Sequence, residues 1–83
     1  MIRTGVIDAS TEDSVCVAHA VRGAARDGHV WVVYKTTYGL FADRETDQTR
    51  FKKRTLIATV RHVRDNIVDV TYESDKRVER LYV

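Results

Sequence analysis

FKKRTLIATVRHVRDNIVDVTYE, residues 51–73, sets two runs rich in β-branched and aromatic residues on either side of Arg64-Asp65-Asn66. Such a pattern predicts a β-hairpin, with strands over Phe51 to Val63 and Ile67 to Glu73. Its register can be argued from the pairs it makes. A two-residue turn at Asp65-Asn66 would set Val60 opposite Thr71 and His62 opposite Asp69. A three-residue loop, Arg64-Asp65-Asn66, sets Val60 opposite Val70 and Ala58 opposite Tyr72. On the other face it sets Arg61 opposite Asp69 and Thr59 opposite Thr71. Matched cross-strand pairs of this kind contribute roughly 0.2–1 kcal/mol each, so the second register is expected. Asn66 is then expected in the left-handed conformation that closes the loop.

Working outward, His29 to Thr36 reads as a strand. Val30, Val32 and Tyr34 point one way and Trp31 and Val33 the other. Two apolar faces predict a central strand. After a turn at Thr37 to Gly39, a shorter strand returns over Gly39 to Asp43, and Arg44 to Thr49 is a polar loop. Arg77 to Val83 follows a turn at Ser74-Asp75-Lys76 as the last strand, and Ile2 to Asp8 is the first. Between the first two strands lies a helix over Thr11 to Asp27. Ser10 is its expected N-cap, and Glu12 and Asp13 complement the dipole in its first turn. Val17, Ala20, Val21 and Ala24 form its apolar stripe. Gly28 is placed to end it in the left-handed conformation. Gly23, inside it, is expected to let the helix approach the sheet closely.

The order is β-α-β-β-β-β-β. It predicts one α+β domain over residues 1–83, a mainly antiparallel five- to six-stranded sheet with one N-terminal helix. One helix cannot cover both faces of such a sheet. The face carrying Trp31, Val33, Ile57, Val63 and Ile67 is expected to need a curled sheet, a homodimer or a partner.

Composition sets the outer bounds. The chain has 83 residues, 43% hydrophobic and 31% charged, with one Cys and no Pro. That excludes a disordered chain and a disulfide-stapled mini-protein. The longest apolar run is Val30 to Tyr34, too short to span a bilayer. Asp8, Glu12 and Asp13 fall where a signal core would lie, so a cytoplasmic location is expected. Net charge is only +2, but it is unevenly spread. Arg50, Lys52, Lys53, Arg54, Arg61 and Arg64 follow one another with no acid between them.

The candidates for chemistry are weak. Cys16 and His19 are three apart on the helix and could form a thiolate–imidazole pair, but Cys16 borders the apolar stripe and no third group is legible. His19, His29, His62 and Cys16 lack the tight spacings of a zinc site, so no metal is expected. Asp43, Glu45 and Asp47 begin like a calcium loop, which Gln48 and Arg54 then break. Gly5, Gly23, Gly28 and Gly39 are isolated, so there is no phosphate-cradling loop, and no cofactor is expected.

The expected function is therefore non-enzymatic: a small binding protein of phage or mobile-element type that docks on a larger protein with an acidic surface and modulates or inhibits it. Arg50, Phe51, Lys52, Lys53, Arg54 and Arg64 are the expected contact residues, because an aromatic among bases makes a binding anchor, the bland alternative being a solvated sheet edge whose bases only prevent aggregation. Trp31, Val33, Ile57 and Val63 mark the second, dimer or partner face. The alternative is a nucleic-acid-binding module using the basic Arg50 to Arg64 hairpin surface, and less favoured is a small ribonuclease built on His62, Arg61, Arg64 and Tyr72. No membrane partner is expected.

Overall fold

Ala58 pairs with Tyr72, Thr59 with Thr71, Val60 with Val70 and Arg61 with Asp69, which is the register that matched cross-strand pairs demand. The turn is built differently from the expectation. The pairing shifts between His62 and Arg64, so that Arg64 meets Ile67 and the turn shortens to Asp65-Asn66. The left-handed residue is Asp65, at φ 45°, and not Asn66. A bulge absorbs one residue inside the strand, so the positive φ moves to the first residue of the shortened turn.

The computed structural model describes residues 2–4, 12–46 and 53–83. Its elements are β1 (Ile2–Thr4), α1 (Glu12–Asp27), β2 (Trp31–Thr36), β3 (Gly39–Arg44), β4 (Thr55–Arg64), β5 (Ile67–Tyr72) and β6 (Val78–Tyr82). They make an α+β fold. One six-stranded sheet runs β1-β6-β5-β4-β2-β3. Its pairs are antiparallel except β1 with β6, which are parallel. β2 lies between β3 and β4, the interior place that its two apolar faces predict. The expected Ser10 cap lies outside the described residues. No helix among the described residues is long and apolar enough to cross a membrane.

The stripe Val17, Ala20, Val21 and Ala24 is buried, and it packs with Trp31, Val33, Ala58, Val60, Val68, Val70 and Leu81 in one core cluster. This corrects the assignment of faces. Trp31 and Val33 are not on an open face: α1 covers them, and Ile57 packs against the same core. Val63 alone of that expected set is exposed. The reason is shape. The buried stripe of α1 carries only Val and Ala, and Gly23 has no side chain at all, so the helix can lie on the Trp31 ring. A Cβ on Gly23 would stand 2.5 Å from the Trp31 ring. Gly28 ends the helix as expected, at φ 73°, with its N–H bonded to Ala24 O at 2.9 Å.

One node ties helix, strand and edge together. The Asp27 carboxylate accepts from the His29 N–H at 2.9 Å, from Trp31 Nε1 at 3.2 Å and from Arg44 Nε at 2.9 Å. Burial pushes its pKa up, but these hydrogen bonds and the Arg44 charge outweigh that and hold it down at about 2, against an ordinary 3.8. The folded value is the depressed one. The stabilisation is therefore complete above the ordinary value and is lost as pH falls through about 2. Asp27→Ala is expected to cost about 1–3 kcal/mol at neutral pH, since the Trp31 indole N–H loses its partner in a part-buried place. In urea melts from pH 6 to pH 2, the wild type should lose on the order of 1–2 kcal/mol from this group. The variant should lose that much less. Parallel acid slopes would show that Asp27 makes no such contribution.

Candidate partner interface

The face of the sheet away from α1 is built by alternation from four rows. Phe41, Tyr34 and Leu56 lie side by side, then Asp43, Val32, Thr59, Thr71 and Val78. Next come Arg61, Asp69 and Arg80, then Ile67 with Tyr82. The two halves of this face differ. Over β2, Val32 and Tyr34 are fully buried, the Tyr34 hydroxyl donates to Asp43, and its ring stacks on Phe41 with centroids 5.9 Å apart. Over β4 to β6 three apolar side chains are exposed, Val63 at 41%, Val78 at 53% and Tyr82 at 44%, while Ile67 is half-buried. Single exposed hydrophobics such as Val15 and Tyr38 are ordinary. Several on one face are not.

The charges on that half are arranged by three strands. Asp69 lies between two arginines in register, Arg61 on β4 and Arg80 on β6. Sequence reasoning paired it with Arg61. The structure gives it to Arg80, through Nε to Oδ1 at 2.8 Å and Nη2 to Oδ2 at 3.0 Å. The Arg80 hydrogen bond depresses the Asp69 pKa, and Asp69 in turn raises that of Arg80. A two-point guanidinium–carboxylate fork outcompetes a single approach from the other side. Arg61 is exposed and makes no ion pair among the described residues.

The basic run expected to act as one patch is divided. Lys53 and Arg54 are exposed at the start of β4, and Arg64 is exposed at its other end. Ten strand residues hold them roughly 30 Å apart. Arg50, Phe51 and Lys52 lie outside the described residues. Lys35 instead joins Lys53 and Arg54 around an open depression of about 510 Å³. No sequence signal singled it out, because it ends an apolar run and reads as part of the strand. A second groove of about 460 Å³ lies between α1 and the β4–β5 pair, lined by Val17, Thr55, Leu56, Ile57, Tyr72, Glu73 and Ser74. Glu73, its one carboxylate among the described residues, is taken by Lys76.

The histidines and the cysteine are dispersed. Cys16 packs against the core, and His19 sets its ring edge on Trp31 at 5.6 Å. His62 Nε2 lies 2.8 Å from the Asp65 carbonyl oxygen, and His29 is exposed. Among the described residues no three His, Cys, Asp or Glu groups converge as a metal site would require. Comparison with known protein families, curated proteins and solved structures finds no match for this chain, so geometry alone carries the functional argument.

Proposed function

We propose that this chain is a small non-enzymatic binding protein that docks on a larger protein with an acidic surface and modulates or inhibits it. The observation that carries the reading is the uncovered half of the sheet, where Val63, Val78 and Tyr82 are exposed beside the exposed bases Arg61 and Arg64. Apolar area rimmed by arginine is what protein interfaces select. The competing reading is a nucleic-acid module gripping phosphates with Lys35, Lys53 and Arg54.

An affinity-tagged chain expressed in its own cell decides between them. The expected result is one protein recovered in stoichiometric complex, resistant to nuclease and rebuilt from the two purified components. Recovery of nucleic acid alone, lost to nuclease and falling steeply as salt rises, would replace the docking reading with the other.

A further inference from the structure

The exposed half-face has a definite chemistry, and we infer that its occupant is an acidic amphipathic helix of the partner, laid across β4, β5 and β6. The inference rests on the docking reading and names the surface and the ligand that reading leaves open. Charge decides the sign. The middle row carries two guanidiniums and one carboxylate, and that carboxylate is already held by Arg80. Arg61 is left exposed in the middle row, on its β4 side, with Arg64 exposed beyond it at the end of the strand. A ligand must therefore bring carboxylates to the middle of the contact.

The same row argues against a second copy of this chain. Face-to-face packing would set one arginine-rich row against another, four guanidiniums to two carboxylates, and like charges across an interface repel. It argues against single-stranded nucleic acid as well. Stacking platforms need several open aromatic rings, and here Tyr82 is accompanied by valines.

Shape decides the form. β4 to β6 spans two strand spacings, about 10 Å, which matches the diameter of one helix. Along the strands, the distance from Val78 to Tyr82 is four residues, about 13 Å, or roughly two and a half helical turns. Apolar rows at both ends with an arginine row between them fit a helix with leucine-type residues at i and i+7 or i+8. Its glutamates or aspartates would fall on the flanks between them. Such a layer would mirror α1 on the opposite face, completing a three-layer arrangement.

The probe is a synthetic 18-residue helical peptide with Leu at i and i+7 spacing and Glu at the i+3 and i+4 positions between them, set beside an otherwise identical peptide with Lys for Glu. The whole chain, labelled with nitrogen-15, is titrated with each. The expected result is saturable shifts of amides in Thr59 to Val63, Ile67 to Thr71 and Val78 to Tyr82 for the acidic peptide, with at least tenfold weaker binding of the lysine peptide. Arg61→Glu and Tyr82→Ala should each weaken the acidic peptide about tenfold while leaving the spectrum folded. Lys53→Glu with Arg54→Glu, at the far end of β4, should change affinity less than twofold. Equal binding of the two peptides, shifts centred on α1 or β3, no saturable binding, or tighter binding of oligothymidine on these same amides would each overturn the inference. In the cell, a protein complex that Arg61→Glu and Tyr82→Ala leave intact refutes this surface while the docking reading stands. Absence of any protein complex refutes the docking reading itself.

Discussion

Gly23→Ala is expected to destabilise the fold, although alanine is the better helix former. Two terms of opposite sign meet at this position. In an exposed helix interior the change would gain about 1 kcal/mol. Here the new methyl carbon would stand 2.5 Å from Cε2 and Cζ2 of Trp31 and 2.8 Å from Cη2. The ring cannot give way cheaply. Its Nε1 is bonded to Asp27, His19 abuts it edge-on, and only 8% of the residue is exposed. Overpacking a well-filled core typically costs about 1–3 kcal/mol and at times more. A net loss of about 1–2 kcal/mol follows for alanine, a Tm lower by roughly 5–15 °C in a domain of this size. Valine, with a β-branched side chain, should leave little folded protein at 37 °C. The cause can be isolated with Trp31→Leu, which itself destabilises: in that background Gly23→Ala should change sign and stabilise by up to about 1 kcal/mol. A Gly23→Ala protein that melts at or above the wild-type temperature would refute the close approach.

Gly23 also shows what the sequence made legible and what it did not. A glycine inside an otherwise good helix signals a close neighbour, and the periodic stripe around it is the buried one. The hairpin register was legible because each pairing could be scored as a pair. The side of the sheet that α1 takes was not legible from alternation, since Trp31 and Val33 on one face and Val32 and Tyr34 on the other are equally apolar. The deciding signal was steric: a helix face of Ala20, Gly23 and Ala24 fits the largest side chain of β2. The Asp27 node was hidden for another reason. Its donors come from Trp31, His29 and Arg44, and only folding brings β3 beside the helix end. The partner of Asp69 was hidden likewise. A hairpin names one neighbour of each strand, while the competing Arg80 arrives from β6, eleven residues further on.

Tyr34→Ala is expected to cost about 3–5 kcal/mol, the range for removing a buried aromatic side chain. Small domains hold roughly 0.05–0.15 kcal/mol per residue, so this change removes a large share of the total stability. Tyr34 is 0% exposed on the face that α1 does not touch. It pairs with Phe41 on one side and Leu56 on the other. The rings of Tyr34 and Phe41 are stacked, 22° from parallel, and the Tyr34 hydroxyl reaches Asp43. Tyr34→Phe keeps the ring and removes the hydroxyl, so it should cost only about 1 kcal/mol. A cycle of Tyr34→Leu with Phe41→Leu should return a coupling of about 0.5–1.5 kcal/mol for the stacked pair. Chemical denaturation of the four proteins measures all of this. A Tyr34→Ala chain that melts cooperatively within a few degrees of wild type would mean that the second face has no core of its own. The expected large loss has a consequence for function. Where β2 lies, Val32 and Tyr34 are buried within the chain on the face away from α1. Toward β5 and β6 no such ring fills the second face among the described residues, and Val78 and Tyr82 are exposed. The proposed docking surface lies on the β4–β6 half because the exposed apolar groups Val63, Val78 and Tyr82 are there, while Tyr34 is buried on the other.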